Sequence, residues 1–167
     1  MKFNLTLTVT IAALGALPLA VLAHGTEGHV KAPDAAISTD EHAFGVEGNP
    51  KQSGRTITIS MDDSMHYSQS EIRVKQGDTV TFVISNKGKL LHELVIGTAD
   101  ELQKHAELMR KNPGMEHVEP YMAHVKPGAT EKMIWKFTKP GTFLYGCLIA
   151  GHFEAGMKGR IIVATNK

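Results

Sequence analysis

The sequence predicts an all-β fold, a Greek-key β-sandwich with one inserted helix. Three observations lead there: about seven short runs in which apolar and polar residues alternate, turn residues between them, and a single stretch of helical periodicity.

The alternation starts after Arg55. Ile57, Ile59 and Met61 interleave with Thr56, Thr58 and Ser60, the pattern of a half-buried strand, and Asp62-Asp63-Ser64 closes it as a turn. Ile72 and Val74 make a second strand, Gln76-Gly77-Asp78 turns, and Val80, Phe82 and Ile84 form a third that ends at Asn86-Lys87-Gly88. Leu90 to Ile96 is a fourth, more continuously apolar strand and carries His92. Thr98-Ala99-Asp100-Glu101 is a capping box; Leu102, Ala106 and Met109 follow at i, i+4 and i+7, so a helix is expected to about Lys111, stopped by Asn112-Pro113-Gly114. A loop is expected to about Gly128. Met133, Trp135 and Phe137, then Phe143, Tyr145 and Cys147, alternate on either side of a Pro140-Gly141 turn, and Arg160 to Ala164 is the last strand.

Upstream of these strands the chain has a different character. Residues 1–23 read as an export signal: Lys2 is followed by the apolar run Leu5 to Leu17 and by Val21-Leu22-Ala23, a small-residue cleavage site. Cleavage would leave His24 as the first residue and direct the protein to the periplasm without membrane insertion. Residues 24–54 are polar and lack apolar periodicity, and read as a flexible arm bearing His24, His29 and His42. Those histidines are either scattered along a solvated linker or, with a free amine at His24 and His29 nearby, nitrogen donors for copper. Of 18 basic residues only Lys2 lies in the signal, so the remainder balances 17 acidic ones, and no charge excess points to nucleic acid.

The chain has 1 cysteine, so an internal disulfide is excluded and a thiol in an oxidising compartment needs protection or a task. Cys147 is followed by His152 and Met157 at equal spacing on a loop broken by Gly151 and Gly156. Thiol, imidazole and thioether are the soft donors that copper takes in a Cys/His/His plane with a long axial Met. His92, near the turn that opens the fourth strand, is the candidate second histidine. Taken singly, Cys147 reads as a buried core residue, Met157 as a gap filler and His92 as a hydrogen-bonded strand residue. Zinc accepts Cys and His but not readily a thioether, and a cysteine hydrolase needs a further polar partner that the sequence does not show.

Cys147-x4-His152-x4-Met157, the upstream His92 and the strand pattern from Arg55 onward resemble the cupredoxins, the type 1 copper family. The resemblance implies a cupredoxin domain over 55–167, copper as cofactor, and His92, Cys147, His152 and Met157 as its ligands, with the methionine axial. Leu91-His92-Glu93, the segment holding Met109-Arg110-Lys111 and Met115-Glu116-His117, and Gly151 to Met157 are similar to periplasmic CopI-type cupredoxins linked to copper tolerance. Many electron-carrying cupredoxins have Asn or Ser after the first histidine; here Glu93 stands there, either directed at the copper or outward as a surface residue.

Met65-His66, Met115-Glu116-His117 and Met122-Ala123-His124 are placed in turns or loops, where they form either a softer second copper site or an apolar docking rim; His105 reads as a helix-surface residue. Two roles fit: copper tolerance and handling with one-electron chemistry, or an electron shuttle of a respiratory chain. The partner would be a periplasmic redox or copper-handling protein. An oxidase or nitrite reductase fragment is disfavoured because the chain lacks a His-x-His pair for a multinuclear cluster.

Overall fold

The computed structural model describes residues 36–115 and 117–166. Its strands are β1 (Val46–Glu47), β2 (Arg55–Asp62), β3 (His66–Tyr67), β4 (Glu71–Lys75), β5 (Thr79–Asn86), β6 (His92–Gly97), β7 (Met122–Val125), β8 (Thr130–Lys136), β9 (Gly141–Gly146) and β10 (Lys158–Ala164). The helix α1 (Ala99–Lys111) is inserted between β6 and β7. One five-stranded sheet has the order β1-β8-β5-β2-β3 and the other β4-β10-β9-β6-β7. The pairs β2/β5 and β4/β10 are parallel and the other strand pairs are antiparallel.

The alternation predicts the core well. Ile57, Ile59 and Met61 of β2 and Val80, Phe82 and Ile84 of β5 meet Ile72, Val74, Leu94, Ile96, Phe143, Tyr145, Ile161 and Val163 of the opposite sheet in one apolar cluster. Dispersion and loss of apolar surface from water hold the sheets together.

Strand β6 is buried along its whole length because both its faces are covered. His92, Leu94 and Ile96 share one face, and Leu94 and Ile96 join the sandwich core; Val95, on the other face, joins a second cluster with Leu102, Ala106 and Met109 of α1 and with Met122, Leu148 and Phe153. The helix therefore lies over the outer face of this sheet. Its capping box is present as predicted, with the Thr98 hydroxyl accepting from the Glu101 N–H and the Glu101 carboxylate accepting from the Thr98 N–H.

The fold departs from the sequence reading in two places. Residues 24–54 are not wholly an arm: His42 bridges Gly45, β1 pairs with the edge of β8, and Pro50–Gln52 forms a 3-10 turn. Phe44 is 2% exposed and its carbonyl accepts the Trp135 indole N–H at 2.9 Å. One aromatic and one valine in a glycine-rich stretch carry no period, so only the partner strand reveals them. The stretch expected to loop as far as Gly128 also contains β7, whose pairing with β6 puts Met122 and His124 on a strand. Four residues are too few to show a period, and Met122, Ala123 and Val125 are all buried, which hides the alternation.

Candidate metal centre

Three elements bring the site together. Strand β6 opens with His92, β9 ends just before Cys147, and the loop from Cys147 to β10 carries His152 and Met157. The ligand-type atoms of His92, Cys147 and His152 lie within 4.8 Å of one another; among the described residues no other three His, Cys, Asp or Glu side chains are so grouped.

The loop is closed by its own backbone. The Cys147 N–H donates to the Met157 carbonyl at 3.0 Å, and the Met157 N–H donates to the His152 carbonyl at 3.1 Å. Gly151 and Gly156 take positive φ values of 89° and 101°, conformations that cost a side-chain-bearing residue energy. Phe153 packs so tightly on Gly146 that a Cβ there would fall 2.8 Å from its ring. Leu148 and Phe153 rest on the apolar face of α1, which supports the loop from behind.

His92 is completely buried, and its Nε2 meets Asp63 Oδ1 at 3.1 Å. That contact places the ring proton on Nε2 and leaves Nδ1 as a lone pair, and this Nδ1 is buried without a protein partner. Asp63 is itself fixed by the Lys89 N–H at 2.8 Å and the Leu90 N–H at 3.2 Å. These contacts, led by the Lys89 N–H, hold its carboxyl below the usual range despite partial desolvation. Asn86, 2% exposed, ties the same turn together by donating to the Leu90 and Val125 carbonyls and accepting from the Gly88 N–H.

Opposite His92, the Nδ1 of His152 is 3.2 Å from Cys147 Sγ. Burial, then the neighbouring His92, lowers the His152 pKa, which favours the neutral ring a metal requires. Burial first and the Glu93 charge second push the Cys147 thiol up to about 12, while the nearby backbone at Glu93 and Ile149 acts the other way. Met157 is fully buried in the same cluster as Cys147. A lone-pair imidazole nitrogen with no partner, a second imidazole and a thiol form a donor set that fits copper.

Glu93 is neither directed at the His92, Cys147 and His152 cluster nor exposed. It is 1% exposed on the helix-facing side of β6, with Oε1 accepting the Leu148 N–H at 2.7 Å and Oε2 contacting His124 Nε2 at 2.9 Å. Sequence reasoning missed this brace, and missed Asp63 and Asn86 as supports of His92. The available signal was Glu93 itself, a departure from the Asn or Ser that the resemblance implies at this position.

The remaining candidates are dispersed. His24 and His29 lie outside the described residues. Met65 has φ 62° and packs at the edge of the core. His66 is on β3 and its Nδ1 contacts the Ser64 carbonyl. Met115 is exposed, whereas Met122 is buried beside α1. His117 has its ring 4.7 Å from that of His105 and a buried Nδ1 without a partner, so His105 is not a plain surface residue.

A two-sheet sandwich with a His/Cys/His cluster at one end defines a copper-protein class. The family model of copper-binding proteins of the plastocyanin/azurin type matches residues 55–164, and the chain belongs to that family. The copper-resistant cuproprotein CopI of Rubrivivax gelatinosus is 42% identical over 120 residues, covering 72% of this chain and 73% of that protein. The protein of the same name from Vibrio cholerae is 31% identical over 160 residues, covering 90% and 94%. Among solved structures, dithionite-reduced auracyanin from Roseiflexus castenholzii superposes with a TM-score of 0.59 at 27% identity, covering 67% of this chain and 98% of that one. Auracyanin B, at 19% identity and a TM-score of 0.58, covers 74% and 96% and shares the fold.

Proposed function

We propose that this chain is a periplasmic cupredoxin in which His92, Cys147, His152 and Met157 would hold one copper, and that it serves copper tolerance rather than catalysis. The observation that carries the reading is the buried, unpartnered Nδ1 of His92 grouped with the Cys147 thiol and His152. Copper supplies one-electron redox chemistry when bound. The chain's part is to keep its ligands in place: Asp63 orients His92, the loop backbone holds Cys147 against Met157, and the apolar packing excludes water. A cage already assembled needs little rearrangement between oxidation states.

The copper-tolerance role rests on the names of the CopI relatives, and the periplasmic location on the export signal read in residues 1–23. Copper titration followed by visible absorption and EPR tests the site. An intense thiolate-to-copper band is expected in the mature protein and its loss in Cys147→Ala; absence of the band from the wild type would reject the assignment. Copper retained by Cys147→Ala would reside on His24 and His29 or on the Met65-His66, Met115/His117 and Met122/His124 segments. The alternative role, a respiratory electron shuttle, is separated by deleting the gene: copper sensitivity supports tolerance, and a respiratory defect without it supports the shuttle.

A further inference from the structure

We propose that the end of the sandwich remote from the His92, Cys147 and His152 cluster carries an anion site, a groove in which Arg55, Arg73 and Lys75 receive a phosphate monoester. Copper plays no part in it.

The groove, about 670 Å³ in volume, opens between the start of β2 and the end of β4. Strand β2 runs from Arg55 in the groove wall to Asp62, next to the Asp63 that supports His92. Strand β10 runs from Lys158, next to Met157, to Ala164 in the same wall. A strand length, about 20 Å, therefore separates the groove from the candidate metal centre. A ligand bound here does not touch the His/Cys/His cluster.

Arg55, Arg73 and Lys75 face one carboxylate, Asp78, in the lining, an excess of two positive charges. Arg55 reaches from one sheet to the other, where its Nη1 donates to the Arg73 carbonyl at 2.7 Å. That bond fixes the guanidinium and leaves its remaining N–H groups for a ligand. Among the described residues neither Arg55 nor Lys75 has an ion-pair partner. Arg73 pairs with Glu71 at 2.6 Å, but Arg160 shares that carboxylate. Asp78 is engaged by the backbone, its Oδ2 accepting the Lys75 N–H at 2.8 Å.

Outside residues 1–23 the basic and acidic side chains balance, so this excess is local and not the average of the surface. Like charges gathered without counter-charge repel one another, and an entering anion relieves that repulsion. A phosphate monoester carries a charge of about −1.5 to −2 and three acceptor oxygens, which matches both the excess and the planar fork of a guanidinium. A single carboxylate would neutralise only half of it. The Gln52 amide and Thr79 hydroxyl in the same wall add donors. The volume exceeds that of a phosphate group and leaves room for the organic part of an ester.

Titration of the mature protein with glycerol 3-phosphate at fixed ionic strength, followed by amide and arginine side-chain NMR, tests the site. Saturable shifts are expected at Arg55 and from Arg73 to Thr79, and Arg55→Gln should weaken binding about tenfold or more. Shifts that do not saturate, shifts scattered over lysines elsewhere, or a weakening below about threefold in Arg55→Gln overturn the proposal. If Arg55→Gln fails to fold for want of its bond to Arg73, Lys75→Gln decides by the same threefold limit. Cosedimentation with phosphatidylcholine vesicles, with and without phosphatidate, separates the two sources of the phosphate. Retention that needs both phosphatidate and Arg55 assigns it to a lipid headgroup. A saturable titration without retention assigns it to a soluble ester, and either result supports the site.

Discussion

At the scale of single residues the site is governed by what surrounds two ionisable groups. The Cys147 thiol rises from 9.0 to about 12, chiefly through burial. Between those values the unfolded chain has lost a proton that the metal-free folded protein keeps. Stability is thus fully present below pH 9 and declines as pH rises towards 12. Thermal melts in chelator should show Tm falling over this window, with the slope reduced in Cys147→Ala. His92 depends instead on Asp63, the one side chain that fixes its proton on Nε2. Asp63→Ala should weaken copper binding about 10- to 100-fold, measured by competition with a chromophoric chelator, while the fold persists. The Cys147 and His152 part of the cluster was legible because the two follow one another closely. The cluster's supports were not. Asp63 sits in an Asp-Asp-Ser turn whose composition is explained by the turn itself, and it reaches His92 only after the strands pair.

Among the elements, α1 and β1 show opposite relations between sequence and structure. The helix was readable because a capping box and an i, i+4, i+7 stripe are local signals, and both are found as expected. Thr98→Ala should cost about 1 kcal/mol in chemical denaturation, the usual value of an N-cap. Because Leu102, Ala106 and Met109 share a cluster with Leu148 and Phe153, fraying of α1 should also loosen the ligand loop. Strand β1 could not be read: Val46 and Glu47 pair only with β8, and Phe44 is held by Trp135, far along the chain. Such contacts are tertiary, with no trace in a window of neighbouring residues. Phe44→Ala should destabilise the protein by about 3–5 kcal/mol, the range for removing a buried aromatic, and denaturation curves would measure it. A cost near zero would mean that residues 42–47 are an appendage after all.

For the whole molecule, the site joins the ends of neighbouring strands that lie far apart in sequence. His92 opens β6, Cys147 leaves β9, and His152 and Met157 precede β10; the three strands are neighbours in one sheet, in the order β10-β9-β6. Asp63, next to β2, ties the opposite sheet to His92. An ion held by these residues therefore binds the native arrangement in preference to the unfolded chain, where His92 is far along the chain from Cys147 and His152. Such binding stabilises the protein by mass action, about 4.1 kcal/mol when free ligand is a thousand times its dissociation constant. Copper should accordingly raise Tm by several degrees in wild type, and a chelator should reverse the gain. In Cys147→Ala the gain should largely vanish even if copper still binds elsewhere, because a site confined to the N-terminal residues would not join the strands. Scanning calorimetry with and without copper on both proteins would decide this, and an equal rise in the two would place the stabilising ion outside the His92, Cys147 and His152 cluster.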